Sequence, residues 1–268
     1  MDRNESDVDA ARQYYGSMTK KTPERLRIRV FGTVQGVGFR PHVFKLAQKF
    51  DLRGSVHNDG AGVTIEIEGD KARFFVEQIS RNTPPGATIN EITIEPILSK
   101  PDAGFLIEAS LCAETKTRIG PDVATCPDCL TDLFNPGSRF YHYPFTTCAY
   151  CGPRFTITQA LPYDRARTSM ASFTMCAACA RDYADPNNRR FHAQSLACPV
   201  CGPRLSMEPK QIAEAIRAGK IIALKGVGGF HLICDARHSE TVARLRQRKN
   251  RDAKPFAVMV ANLSLIHI

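Results

Sequence analysis

Eight cysteines between Cys126 and Cys201 constrain this chain more than any other feature. They fall in four Cys-x-x-Cys pairs, with eighteen residues between Cys129 and Cys148 and eighteen between Cys179 and Cys198. A shift of fifty residues lays Cys126, Cys129, Cys148 and Cys151 onto Cys176, Cys179, Cys198 and Cys201. The same shift carries Asp132, Pro136, Arg139 and His142 onto Asp182, Pro186, Arg189 and His192, so the block is an internal duplication.

Two Cys-x-x-Cys turns about 15 to 20 residues apart suit a tetrathiolate Zn2+ site, because each turn aims two sulfurs at one ion and the second hairpin closes the tetrahedron. Disulfides or a thioredoxin-like redox pair are the alternatives. Four evenly spaced pairs without a flanking βαβ pattern argue against both. The expectation is two closed structural zinc sites in zinc-ribbon-type modules. Spacing leaves open whether consecutive pairs share an ion or whether the pairs interleave. His142 and His192 are further candidate ligands, although four cysteines already complete each site.

The remaining two of the ten cysteines, Cys112 and Cys234, read as small buried apolar residues. Paired thiols of the metal type fit a reducing compartment, so a cytoplasmic location is expected. No apolar run approaches the roughly 20 residues of a membrane span. Residues 1–22 carry Asp2, Arg3, Glu5, Asp7 and Asp9 and have no apolar core; they read as a disordered tail rather than a signal peptide. The net charge of +9 suits anionic partners such as phosphate esters, nucleotides or nucleic acid.

Before the cysteines, residues 23–111 read as one domain. Alternation in Leu26, Ile28 and Val30 marks a strand with one buried face. A glycine loop follows, then Pro41 in the first turn of a helix through Phe44, Leu46, Ala47 and Phe50. A strand near residues 53–57 turns at Asn58-Asp59-Gly60 into a returning strand over 63–68. Asp70 is the expected cap of a second helix, broken by Thr83-Pro84-Pro85-Gly86, and strands near 89–95 and 104–109 complete the domain. The order βαββαβ plus a last strand predicts a ferredoxin-like sandwich.

The chemistry lies in the glycine loop. Small residues at 36 and 38 let backbone N–H groups converge at a helix start, which makes an anion cradle, and Arg40 adds a permanently charged forked donor. Asn58 can hold and orient a water without titrating. The string Val34-Gln35-Gly36-Val37-Gly38-Phe39-Arg40, with Gly54-Ser55-Val56-His57-Asn58-Asp59-Gly60 beyond it, resembles acylphosphatase across the whole domain. The resemblance implies that Gln35, Gly36, Val37, Gly38, Phe39 and Arg40 grip a phosphoryl group, that Arg40 binds it, and that Asn58 positions the attacking water. A degenerate scaffold without activity is the competing expectation.

Within the cysteine block three strings exceed what a metal requires. They are residues 139–145, residues 162–165 with 168–170, Phe173 and Met175, and residues 189–194. Local packing around small metal-stapled modules is the expected use, with base stacking on nucleic acid as the alternative. After Pro209 a helix ending at Gly219 leads to a strand over 221–224, a glycine turn, a second strand over 230–234 and a helix over 240–248 with a basic face. Gly219-Lys220, Asp235-Ala236 and the Lys249, Arg251, Lys254, Pro255 string resemble the start of a YrdC-like domain. That resemblance implies that Lys249, Arg251 and Lys254 approach nucleotide phosphates, with Lys225 a further candidate, and it keeps double-stranded RNA open as a partner.

In this order the three parts, an acylphosphatase-like domain, a duplicated four-cysteine module and a YrdC-like start, resemble the N-terminal part of the HypF family, the carbamoyltransferases of [NiFe]-hydrogenase maturation. Ser195, where proline is expected, is a small departure. The resemblance implies hydrolysis of carbamoyl phosphate, joining of carbamate to AMP from ATP (with Mg2+), and transfer to the terminal cysteine of a HypE partner. The expected organisation is α+β and multidomain: a tail at 1–22, the acylphosphatase-like domain at 23–111, a connector at 112–125, modules at 126–151 and 176–201 with a linker at 152–175, and a truncated YrdC-like segment at 209–268. A chain ending here reads as a fragment that keeps hydrolysis without adenylation or transfer. Whether its last six residues are native is open. A basic nucleic-acid-binding module on an inactive scaffold is the competing function.

Overall fold

The computed structural model describes residues 24–111, 117–226 and 229–260. The expected tail over 1–22, Cys112, Val227, Gly228 and the last six residues lie outside them. The chain divides into two compact units, separating after Pro203.

The first unit begins with a five-stranded sheet in the order β4-β1-β3-β2-β5. Its strands are β1 (Arg25–Thr33), β2 (Arg53–Asn58), β3 (Val63–Glu68), β4 (Thr88–Pro96) and β5 (Phe105–Ile107). The first three pairings, β1 with β3, β1 with β4 and β2 with β3, are antiparallel, whereas β5 lies parallel to β2. Two helices, α1 (Phe39–Lys49) and α2 (Ala72–Arg81), complete the ferredoxin-like order. Period-two burial decides which face the helices cover: Leu26, Ile28 and Val30 are buried, as are Ile65 and Ile67 on the paired strand. Val43 and Ala47 of α1 and Phe75 and Ile79 of α2 join the same core. Burying each such side chain contributes about 1.5–3 kcal/mol. The second helix starts behind Lys71 rather than a capping Asp70.

The hairpin turn between β2 and β3 is held by Asp59. Its carboxylate accepts hydrogen bonds from the Ala61 and Gly62 N–H groups at 2.8 Å and from the Thr64 hydroxyl at 2.7 Å. Burial alone would raise its pKa, but these donors and the nearby Arg29 hold the carboxyl below its usual range.

The duplicated block follows in the same unit. Each module is a helix start plus a turn, not the two hairpins expected. Cys126 precedes α3 (Pro127–Phe134), with Pro127 in its first turn, and Cys176 precedes α4 (Ala177–Ala184). His142 and His192 both adopt left-handed backbone, with φ of 53° and 50°, and their N–H groups donate to the Leu133 and Tyr183 carbonyls. The duplication extends to backbone conformation. The modules are tied reciprocally: Arg139 reaches Asp182 of the second, and Arg189 reaches Asp132 of the first.

The second unit contains α5 (Pro209–Arg217), β6 (Ile222–Lys225), β7 (Phe230–Ile233) and α6 (Ser239–Arg248), with β6 and β7 antiparallel. Gly219, at φ 71°, ends the turn after α5 as the sequence suggests. Its two strands have no fully buried residue, and Cys234 is half-buried, so the expectation of a buried thiol fails there.

Candidate functional site

The phosphate-type loop runs from Gln35 into α1. Gly36 and Gly38 have φ of 75° and 74°, the left-handed region that glycine enters without a Cβ penalty. Packing excludes larger residues as well. A Cβ on Gly36 would sit 2.7 Å from the Ile119 side chain, and one on Gly38 would sit 2.7 Å from the Tyr150 ring. Gly38 caps α1, whose first turn carries no acidic side chain, so its free N–H groups and dipole favour an anion. Val37 and Phe39 are buried and shape the loop from beneath.

Arg40 is 7% exposed and lies beside Asn58, which is 1% exposed. One Arg40 nitrogen donates to the Ser110 hydroxyl at 3.2 Å. The other donates to the Tyr163 carbonyl at 3.1 Å and pairs with the Asp164 carboxylate at 2.7 Å. The Asn58 amide N–H donates to the same Tyr163 carbonyl at 3.2 Å. Among the described residues its buried amide oxygen has no protein partner, which leaves an acceptor suited to a water O–H. The Gln35 side chain donates to the Asp59 and Gly62 carbonyls and accepts from the Tyr163 N–H, all at 2.8 Å, so that side chain fastens the loop.

The cysteine block supplies the rest of the cleft. Val34, Gly36, Gly38, Arg40 and Asn58 form one wall, and Ala149, Arg154, Tyr163, His192 and Gln194 the other. Arg154, 3% exposed, donates to the Gly36 and Ala149 carbonyls. His192 is held neutral: burial, and next the Arg40 charge, push its pKa down to about 4. Residues 162–165 and 189–194 exceed what a metal needs, and local packing is their expected use. They pack locally and also wall the site. The glycine loop and the Tyr163 segment are about 120 positions apart, so no local pattern could link them.

Each four-cysteine set gathers consecutively, which closes the question of interleaving. In both sets all four sulfurs lie within 4.8 Å of one another. Cys126–Cys148 and Cys148–Cys151 are 3.8 and 3.6 Å apart; Cys176–Cys198, Cys198–Cys201 and Cys179–Cys201 are 3.7, 3.7 and 3.6 Å apart. A tetrahedron with metal–sulfur bonds of about 2.3 Å has edges of about 3.8 Å, so the sulfurs fit Zn2+. They are too far apart for disulfides, whose S–S bond is about 2.05 Å. His142 stacks on Tyr141 and His192 faces the cleft, so neither joins a cysteine set.

Three family models match in the order of these parts: Acylphosphatase over residues 26–107, HypF finger over 125–158 and 175–208, and the Sua5/YciO/YrdC model described as Telomere recombination over 214–267. "Carbamoyltransferase HypF" of Rhizobium leguminosarum is 58% identical over 239 residues, covering 89% of this chain and 32% of that protein. The chain belongs to the HypF family. HypF2 of Cupriavidus necator is 55% identical over 257 residues, with 90% of this chain and 32% of that one covered. A crystal structure of full-length HypF in its phosphate- and nucleotide-bound form superposes with a TM-score of 0.87 at 43% identity, over 93% of this chain and 35% of the other. The chain thus spans about a third of the length of its HypF relatives.

The nucleotide candidates of the second unit are less organised. Arg251 donates to the Lys254 and Pro255 carbonyls of its own loop at 3.1 and 3.0 Å. Lys249 and Lys254 are exposed, and the exposed Lys225 lies 5.3 Å from the Phe230 ring centre. Among the described residues no helix is long and apolar enough to cross a membrane.

Proposed function

We propose that residues 35–40 and Asn58 form a hydrolytic site for a small acyl phosphate, carbamoyl phosphate in the HypF context. The observation that carries this is Arg40 and Asn58 converging on one point beside a helix N-terminus free of acidic residues. N–H groups at the start of α1 cradle the phosphoryl oxygens while Arg40 balances their charge. The Asn58 amide oxygen accepts a hydrogen bond from a water and aims that water's oxygen at phosphorus. As that P–O bond forms, the bond to the acyl oxygen breaks, its electron pair leaves with carbamate, and the water's protons stay on the inorganic phosphate formed. The negative charge of the departing carbamate is delocalised over two oxygens, so departure leads and positioning replaces a strong base.

Each cysteine set holds one Zn2+ as a structural ion, with no free position for substrate. In the whole HypF protein, in the cytoplasm, we propose that carbamate next meets ATP and Mg2+ and that the carbamoyl group passes to HypE. Lys225, Lys249, Arg251 and Lys254 are the candidate nucleotide contacts of this chain. The nucleic-acid reading is disfavoured because Arg139, Arg189 and Arg190 are engaged by Asp182 and Asp132. The test is phosphate release from carbamoyl phosphate by the zinc-loaded chain. Arg40→Ala should lower kcat/KM by about 10²–10³-fold at unchanged zinc content, the loss of one preorganised donor. A folded, zinc-loaded parent without hydrolysis would sink the reading.

A further inference from the structure

The Arg40 guanidinium, the one permanently charged donor in the cleft's phosphate wall, is already paired with an anion. Asp164 of the cysteine block meets it at 2.7 Å, in a cleft where Arg40 is 7% exposed. The segment that carries Asp164 is anchored on both sides. Before it, the Tyr163 N–H donates to Gln35 at 2.8 Å. After it, the Arg165 N–H donates to the Gln194 side chain at 2.7 Å, and the Arg165 guanidinium reaches the Gln194, Leu196 and Phe173 carbonyls at 2.7–2.8 Å. The backbone is therefore fixed and the Tyr163 carbonyl is a permanent part of the site. Among the described residues the Asp164 side chain has no such anchor beyond Arg40: its carboxylate keeps 26% exposure, and a rotation about its own side-chain bonds releases Arg40.

We propose that Asp164 is the internal competitor of the phosphoryl group, holding Arg40 while the site is empty and returning to it as inorganic phosphate leaves. The physical reason is the cost of a buried cation without a partner, which Asp164 removes in the empty state. A phosphoryl group brings more charge and several acceptor oxygens and displaces one carboxylate. The same competition weakens every anion that needs Arg40, product included, because binding must first open the latch. The inference rests on the Arg40 site described above, and it adds a residue that an acylphosphatase-like domain by itself does not contain.

The experiment compares the zinc-loaded parent with Asp164→Asn and Arg40→Ala, measuring inorganic phosphate binding by calorimetry and inhibition of carbamoyl phosphate hydrolysis by phosphate. Asp164→Asn keeps the size and a hydrogen-bonding group but removes the charge. Phosphate should bind it about tenfold more tightly, with KM for carbamoyl phosphate lowered in parallel. Arg40→Ala should bind none. Unchanged or weaker phosphate binding in Asp164→Asn, in a protein that still folds and holds zinc, overturns the proposal and makes Asp164 a positioning residue for Arg40. Phosphate binding gained in Asp164→Asn without hydrolysis in any variant upholds the latch while removing the hydrolytic reading. No binding in parent or variant removes both.

Discussion

The two cysteine modules are copies that have been put to different uses. Both place a Cys-x-x-Cys pair at a helix start, a left-handed histidine behind it and a second pair in a turn, and the reciprocal Arg139–Asp182 and Arg189–Asp132 pairs follow the fifty-residue shift. They differ where they meet the ferredoxin-like sheet and its helices. The first module sends Tyr150 against Gly38 and Arg154 into the Gly36 carbonyl. The second sends Phe191 against Phe44 of α1, with ring centres 5.2 Å apart, and His192 and Gln194 into the cleft. What the metal demands is duplicated in sequence and position, whereas the cleft residues His192 and Arg154 are repeated in sequence as His142 and Arg204, which do not line the cleft. A metal-stapled module needs only a few residues for its own stability, so its outward faces are free to diverge.

Metal removal tests this comparison most severely. Cys148→Ser and Cys198→Ser should each lose one of two zinc ions, read by a colorimetric thiolate-release assay. Each should also destabilise the first unit by several kcal/mol in a thermal melt, since structural zinc binding is itself folding free energy. Equal effects would mean the modules fold as one body; loss of hydrolysis in Cys148→Ser alone would show that only the first supports the loop.

Arg154→Met should cost about 3 kcal/mol in denaturant unfolding, because buried carbonyls such as those of Gly36 and Ala149 lose charged donors. An effect below about 0.5 kcal/mol would reduce Arg154 to a bystander.

The aspartates offer a finer comparison. Asp132 meets both Arg189 and Arg190, whereas Asp182 meets Arg139. Asp132→Asn should therefore destabilise more than Asp182→Asn, by about 1 kcal/mol. For Asp132, burial raises the carboxyl's pKa and the two arginines more than reverse it. A depressed folded pKa means its stabilisation is present above the ordinary value of 3.8 and is lost as pH falls through the lower folded value. Acid unfolding of the parent and of Asp132→Asn should thus converge below that range.

The smallest effect concerns His192. A proton NMR titration should find it near pH 4, below its ordinary 6.5. The depressed value means that the unfolded chain binds a proton between these limits that the folded chain refuses, so stability falls as pH drops from about 6.5 to 4. Because Arg40 contributes to the shift, Arg40→Ala should move the titration upward. An unmoved value would leave burial as the sole cause.

Much of this was legible in the chain. Strand and helix order, Gly36, Gly38, Arg40, Asn58 and the eight cysteines follow from local patterns: a period of two, a helix start, a fixed spacing. The anchoring role of the Gln35 side chain is not legible locally, because its partners Asp59, Gly62 and Tyr163 lie 24 to 128 positions away. The cysteine hairpins were misjudged because Cys-x-x-Cys suits a helix start behind Cys126 as well as a turn.

By itself the sequence determined the elements, the duplication and the chemistry of each set of ligands, since all of these depend on neighbours a few residues away or on an exact repeat. Only the tertiary structure decided that the two modules close over the phosphate loop. It also decided that Tyr163 and Asp164 meet Arg40, and that His192 stays neutral. Those are contacts between segments about 120 to 150 positions apart, chosen by packing and by the need to partner a buried charge, and neither leaves a mark in local pattern.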